Sequence, residues 1–242
     1  MTQAPVCKHW GFFSWQQQPC HLAGTERPTP KPGARPDNSA MDTYLILMAL
    51  GVGAYVMKNV EQRQRIGLLS SYLHKYQLEK LMEQLTEGYL RALGESDPQR
   101  SEPIWRMLVS TEQSVSDQLG RLAADMAHMG DEQARVLRWP LAVPLASRWL
   151  PAATFDLRQL MAIHAQGFAS AVHNTAGLGR KEQAFRLSAE LYLFQHSCHW
   201  YCRSKTVASA RLLARHKTAH AQVLAAVSPQ TRAAYAALVG AL

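Results

Sequence analysis

The feature that most constrains this sequence is an uncharged apolar stretch near its N-terminal end. Residues 44–57, YLILMALGVGAYVM, contain no Asp, Glu, Lys or Arg. As an α-helix, residues 43–57 span about 22 Å at about 1.5 Å per residue, less than the ~30 Å hydrocarbon core of a bilayer. A thinned bilayer, or a Lys58 side chain that extends to the headgroups, makes up the difference. We therefore predict one transmembrane or membrane-anchoring helix over residues 43–60, with these anchoring side chains: Tyr44, Leu45, Ile46, Leu47, Leu50, Val52, Tyr55 and Val56.

The charges that flank this stretch predict its orientation. Lys58, Arg63 and Arg65 follow it, whereas only Asp42 lies between Met41 and the stretch. An excess of Lys and Arg marks the cytoplasmic side, which predicts a single pass through a bacterial-type inner membrane with the C-terminal domain in the cytoplasm. A cleaved signal peptide is disfavoured because the positive charges follow the apolar run. The alternative is a helix that is buried in the fold or lies at the membrane surface, since the run is below the usual spanning length.

The N-terminal residues have the composition of a linker. We predict a disordered, proline-rich tail over residues 1–42, because closely spaced prolines prevent both helix and central strand. These prolines are Pro28, Pro30, Pro32 and Pro36. Translation from Met41 would begin directly before the apolar run, so an over-extended start is the alternative explanation of residues 1–40.

Residues 61–242 have the periodicity of helices. Apolar residues recur at three- and four-residue spacing, and no alternating strand pattern or hairpin signal is present. The sequence predicts an all-α fold, with the membrane-associated helix followed by an antiparallel helical bundle in one cytoplasmic domain. Helices are expected over residues 66–93, from Ser101 and Pro103 onward, from a cap at Thr154 or Asp156, over residues 180–227 as one helix or two with a joint near 203–206, and from Ser228 and Pro229 to about Val239.

A proline-punctuated connector follows the helix expected over residues 131–138. Trp139 and Trp149 each stand beside a proline or one residue from it, and Pro144 lies between them. This spacing rules out one regular helix. We expect both tryptophans to cap the core from a rigid crossover, because Trp is usually largely buried. A hinge or a membrane-facing loop is the alternative.

Positive charge is concentrated at the C-terminal end. The net charge is +8, and no Asp or Glu follows Glu190. Four residues on a predicted helical face form the candidate site for an anionic partner: Arg203, Arg211, Arg215 and Lys217. The partner predicted for this face is an anionic lipid or an acidic protein, and a face that simply meets water is equally well supported. Nucleic acid ranks lower, because base-stacking aromatics are limited to Trp200 and Tyr201.

One spacing of cysteines and histidines resembles that of a Cys2His2 zinc finger. Its residues are Cys198, Cys202, His216 and His220. Residues 203–215 contain no Gly, Pro, Asn or Asp to make the turn that such a finger needs, and in one helix the two pairs lie about 27 Å apart. The favoured interpretation is therefore a helix seam with no cofactor. A zinc or iron site from His216 and His220 with other ligands is the alternative.

No catalytic motif is present. The sequence contains no His-Glu-x-x-His, Gly-x-Ser-x-Gly or phosphate-binding Gly-x4-Gly-Lys pattern. The first functional hypothesis is therefore a non-enzymatic, membrane-tethered interaction or scaffold protein with a basic C-terminal face. The second is a metal-binding helical enzyme or redox domain that uses His164, His196, His199, His216 or His220. The third is a soluble helical protein associated with DNA or RNA.

Overall fold

A computed structural model describes residues 38–240 of the chain. Residues 1–37 of the predicted N-terminal tail lie outside the described residues. The last part of that predicted tail is wrong, because residues 38–42 already belong to the first helix, α1 (Asn38–Leu73).

The chain divides into two compact units, residues 1–59 and 60–242. In the first unit, residues 38–59 are helical throughout. The second unit contains the remainder of α1 and all later elements. They are α2 (Leu78–Gly94), α3 (Pro98–Met126), α4 (Asp131–Ala134), β1 (Arg135–Leu137), α5 (Ala146–Trp149), a 3-10 turn (Pro151–Ala153), β2 (Thr154–Asp156), α6 (Leu157–Val172), α7 (Arg180–Cys202), α8 (Lys205–His216), α9 (His220–Ala226) and α10 (Pro229–Val239).

The all-α prediction is confirmed, and the second unit is a helical bundle. α2 packs on α3, α3 on α6 and α6 on α7, and α10 packs on α6 while α8 and α9 pack on α7. Apolar side chains at helical spacing fill the space between them, and α7 is buried on most of its circumference. Buried apolar surface stabilises the fold by about 25 cal/mol per Å². Leu85, Leu119, Leu160, Leu187 and Leu193 are each buried to 98% or more.

Two short strands interrupt the helices. β1 and β2 pair antiparallel, with Val136 opposite Phe155. The helix predicted over residues 131–138 is therefore wrong beyond Ala134. The strands are only three residues long, which is too short to show the alternation by which strands are recognised.

Side-chain caps mark the N-terminal ends of α6 and α10. Asp156 Oδ1 accepts the Arg158 N–H at 2.8 Å at the start of α6. Ser228 Oγ accepts the Thr231 N–H at 3.0 Å at the start of α10. Both caps confirm the sequence prediction, since short polar side chains satisfy the N–H groups that a helix start leaves open.

Other helix boundaries differ from the prediction. α3 begins at Pro98 behind an Asp97 cap, so Pro103 lies inside the helix and does not begin it. The helix predicted over residues 66–93 is broken between α1 and α2, where the Gln77 N–H donates to Gln118 Oε1 at 2.8 Å. Tertiary hydrogen bonds thus fix boundaries that local propensity leaves undetermined.

The C-terminal helices contain one predicted break and one unpredicted break. α7 and α8 are separated at residues 203–204, within the joint predicted near 203–206. A second break separates α8 from α9, where Lys217 has a left-handed backbone with φ 53°. A non-glycine residue seldom adopts this conformation, so the sequence carried no signal for it.

Candidate functional site

The N-terminal part of α1 exposes its apolar side chains. Every residue from 41 to 57 is exposed in the described chain. By length and composition, Met41–Leu73 is a helix that is long and apolar enough to cross a membrane. None of this apolar window is buried among the described residues. The predicted anchoring side chains have exposed fractions of 52–73%: Tyr44, Leu45, Ile46, Leu47, Leu50, Val52, Tyr55 and Val56.

The first residues of the second unit are held by charge-assisted hydrogen bonds. Arg65 Nη2 donates to Glu61 Oε1 and to Ser147 Oγ, each at 2.9 Å. The other Glu61 oxygen, Oε2, accepts the Leu145 N–H at 3.1 Å. Hydrogen bonds to charged groups are stronger than neutral ones, so residues 61–65 fix the connector around residues 145–147. The four-residue spacing of Glu61 and Arg65 was a sequence signal for their ion pair, but no local spacing indicated the contact with the connector.

The same residues of α1 hold the end of α7. The Arg65 guanidinium lies 5.3 Å from the centre of the Tyr201 ring, within the range of a cation–π interaction. Arg203 Nη1 donates to Oε1 of the buried Gln62 at 2.7 Å. The Arg203 side chain, which the sequence assigned to an anion site, is thus engaged in the fold.

The connector between β1 and β2 places its tryptophans in solvent. We call residues 139–150 the tryptophan loop. Trp139 is 43% exposed and Trp149 is 74% exposed, so the prediction that both cap the core is wrong. The backbone of the loop is nonetheless fixed, because the Thr206 N–H and hydroxyl both donate to the Pro140 carbonyl, at 3.1 and 2.8 Å.

A buried histidine cluster lies where α6 and α7 meet α8, α9 and α10. His164 is 2% exposed, and its Nε2 lies 2.8 Å from Ser197 Oγ. The Ser197 hydroxyl donates to the Leu193 carbonyl at 3.0 Å, so the His164 Nε2–H donates to the serine oxygen. His164 Nδ1 has no hydrogen-bond partner among the described residues. Burial lowers the pKa of His164 to about 3, so the imidazole is neutral.

His196 and His220 form the second half of this cluster. Their rings stack with centroids 4.0 Å apart, and His196 Nε2 lies 3.1 Å from Ser209 Oγ. Burial and then the neighbouring His220 lower the pKa of His196 to about 2. Burial and then Lys205 lower the pKa of His220 to about 4. Stacked neutral rings pack well, but two protonated rings at this distance would repel each other.

His199 and His216 lie on the other side of α7. The His216 ring stacks on Tyr192 with centroids 3.9 Å apart, and its Nε2 lies 2.9 Å from Gln195 Oε1. Burial and then the nearby Arg215 lower the pKa of His216 to about 4. Burial, followed by Arg211, also lowers the pKa of His199 to about 4. These histidines are therefore neutral at physiological pH, and they contribute no positive charge to the C-terminal end.

A buried carboxyl group ties α7 to α10. Glu190 is 2% exposed, and its Oε1 accepts the Ser228 N–H at 3.0 Å, at the start of α10. Burial raises the pKa of Glu190. The helix N-terminus offers partial positive charge to this group, which reduces the cost of its burial.

The residues with zinc-finger-like spacing lie on three helices. Cys198 and Cys202 are buried on α7, His216 ends α8 and His220 begins α9. Within residues 38–240, no group of three or more His, Cys, Asp or Glu is placed to hold a metal ion. The four residues do not belong to a single helix, because the chain breaks at residues 203–204 and 217–219.

The predicted basic residues do not share one helical face either. Arg203 directly follows α7 and donates to Gln62, while Arg211 is half-buried with Nη1 3.5 Å from His199 Nδ1. Arg215 and Lys217 are exposed near the end of α8. The accessible basic surface is thus centred on the end of α8. The prediction of an anionic partner for this surface stays a prediction.

Comparisons with known proteins give no relative for this chain. No family model matches the sequence, and neither a curated protein nor a solved structure matches it.

Proposed function

We propose that this protein is a non-enzymatic, single-span membrane protein whose helical domain serves as an interaction or scaffold module. The observation that carries the proposal is that every residue from 41 to 57 is exposed, among them large apolar side chains that contact water in the isolated chain. Exposed apolar surface of this extent is typical of a membrane or protein interface.

The energetics of insertion favour a membrane. Each Leu, Ile or Val at the centre of a spanning helix contributes about −0.3 to −0.6 kcal/mol to insertion. The six such residues of the run, listed here, contribute roughly −3 kcal/mol on that scale: Leu45, Ile46, Leu47, Leu50, Val52 and Val56. The helix extends beyond the apolar run in both directions, from residue 38 to residue 73, so the backbone groups of the run are hydrogen-bonded within the helix.

The flanking charges support a cytoplasmic position for the domain. Lys58, Arg63 and Arg65 follow the run, and positive charge on the C-terminal side favours retention of that side in the cytoplasm of a bacterial-type inner membrane. The exposed Arg215 and Lys217 would then face the cytoplasm, where anionic lipids or acidic proteins are suitable partners.

Membrane fractionation tests the anchor. The full chain is expected to resist extraction by alkaline carbonate, and a chain that begins at Lys58 is expected to be soluble. Leu50→Lys places a charge in the middle of the run at a cost of about 3 kcal/mol, which cancels the gain from the apolar side chains. The Leu50→Lys chain should therefore lose its membrane association.

The matched control is Leu90→Lys, because Leu90 is 70% exposed on α2. This variant should fractionate as the parent does. A parent chain that carbonate extracts completely would refute the anchor, and a reporter at the C-terminus that is active only outside the cytoplasm would refute the orientation.

A further inference from the structure

The outer surface of the tryptophan loop is apolar. Trp149 and Leu141 are 74% and 65% exposed, and Trp139, Val143 and Leu150 are also exposed. Tryptophan is enriched where protein meets lipid headgroups, because its ring is apolar and its N–H needs a polar partner. A loop with two exposed tryptophans is therefore suited to the interface of a bilayer.

The loop is attached to residues that closely follow the apolar run. Glu61 accepts the Leu145 N–H at 3.1 Å, and Arg65 donates to Ser147 at 2.9 Å. Glu61 comes four residues after Met57 in the sequence. Four residues extend at most about 14 Å in any conformation. If the run lies in a bilayer, the point of attachment of the loop is within reach of the headgroups of that bilayer.

The charge of this region complements anionic headgroups. Residues 133–155 contain no Asp or Glu, but they contain Arg135, Arg138 and Arg148. Arg148 forms an ion pair with Glu132, and both side chains remain more than half exposed. Basic residues near an anionic membrane surface strengthen its attraction for the protein.

We infer that the tryptophan loop inserts into the headgroup region of the membrane that holds the apolar run, where anionic phospholipids surround it. The inference rests on the proposed function, since it requires that run to be in the bilayer. The second contact holds the domain against the membrane surface, so that α1 is not its only attachment.

Fluorescence quenching by brominated lipid tests the contact. The full chain is reconstituted in vesicles of phosphatidylethanolamine and phosphatidylglycerol that carry bromine on the acyl carbons next to the headgroups. The chain carries Trp10→Phe and Trp15→Phe, and residues 38–73 contain no tryptophan, so quenching reports on residues 74–242. Trp149→Phe is expected to remove the larger part of the quenched signal and Trp139→Phe a smaller part, in the order of their exposure. Trp105→Phe is the matched control, because Trp105 is buried on α3, and it should leave quenching unchanged.

The outcomes separate the two proposals. Flotation of the parent chain with the vesicles in a density gradient reports attachment to the bilayer, whereas the tryptophan variants report the contact of the loop. If the chain floats and neither Trp139→Phe nor Trp149→Phe reduces quenching, the loop inference is overturned and the anchor stands. If the chain does not float, both are overturned.

A spin label gives a second measurement that does not depend on the tryptophan variants. The label is placed at Leu141→Cys in a Cys7→Ser, Cys20→Ser background, and again at Met107→Cys, which is 74% exposed on α3. The label at residue 141 should be more accessible to oxygen than to a water-soluble nickel complex, and the label at residue 107 should show the reverse. Greater access of nickel at residue 141 would overturn the inference.

Discussion

Acidification should destabilise the helical domain through His164. Its imidazole is 2% exposed, and its Nδ1 has no hydrogen-bond partner among the described residues. Burial is the cause of its pKa of about 3, well below the value of about 6.5 in an unfolded chain. Below pH 6.5 the unfolded chain therefore binds a proton that the folded chain excludes, so stability falls as pH falls toward the folded pKa.

Between pH 7 and pH 5, the size of this loss of stability depends only on the pKa of the histidine in the unfolded chain. At pH 5 an imidazole that stays neutral in the folded state lowers the free energy of unfolding by about 2 kcal/mol, against about 0.2 kcal/mol at pH 7. The folded pKa of about 3 lies far enough below pH 5 that its value hardly affects this difference. His164 should thus account for a loss of nearly 2 kcal/mol between pH 7 and pH 5.

Urea unfolding of the full chain in non-ionic detergent, followed by near-ultraviolet circular dichroism at pH 7 and pH 5, measures this loss. His164→Gln should reduce the pH-dependent loss by about 2 kcal/mol, whatever its effect on absolute stability. Met107→Gln, at an exposed position of the same unit, removes no ionisable group and is the control that should leave the loss unchanged. If His164→Gln and the parent lose equal stability, the reasoning is refuted, because His164 would then take up a proton in the folded state.

Two further changes test the packing. Arg65→Ala should lower the free energy of unfolding by about 2 kcal/mol, because it removes charge-assisted hydrogen bonds. Arg63→Ala, at an exposed position, should change the free energy of unfolding by at most about 0.5 kcal/mol. Equal urea midpoints for the two variants would contradict this expectation. Gly167→Ala places a methyl group against the Thr231 hydroxyl and should destabilise the helical domain by about 1–3 kcal/mol. Gly120→Ala should stabilise α3 by up to about 1 kcal/mol, because nothing lies within 4 Å of the added carbon. The two thermal midpoints should therefore shift in opposite directions, and a shared direction would contradict the packing described.

Local sequence signals predicted those features of the fold that do not depend on distant residues. Asp156 and Ser228 satisfy open N–H groups of the helix that follows, so their chemistry marks a helix start in almost any context. Helical periodicity likewise predicted the all-α class. The break at Lys217 has no such signal, because the left-handed residue there is neither Gly nor Asn.

The surroundings of Trp149 and His164 depend on contacts between distant parts of the chain. The prediction that Trp149 is buried was wrong. Residue type alone favours burial, whereas the position of the loop is fixed by hydrogen bonds between α1 and residues 145 and 147. The partners of His164 lie on another helix, so periodicity identifies its face but not its neighbours. Sequence patterns describe one element at a time, and these residues acquire their surroundings from several elements.

The two parts of α1 need different physical explanations for being helical. Residues 60–73 pack and hydrogen-bond within the second unit, which is where most helices obtain their stability. Residues 41–57 are exposed throughout and include Gly51 and Gly53, each of which costs up to about 1 kcal/mol in a solvated helix relative to Ala. In hydrocarbon the balance changes, because no water competes for the backbone and an unpaired N–H or C=O costs several kcal/mol. A helix that water stabilises poorly and lipid stabilises well supports the proposal that this part of the chain works in a membrane.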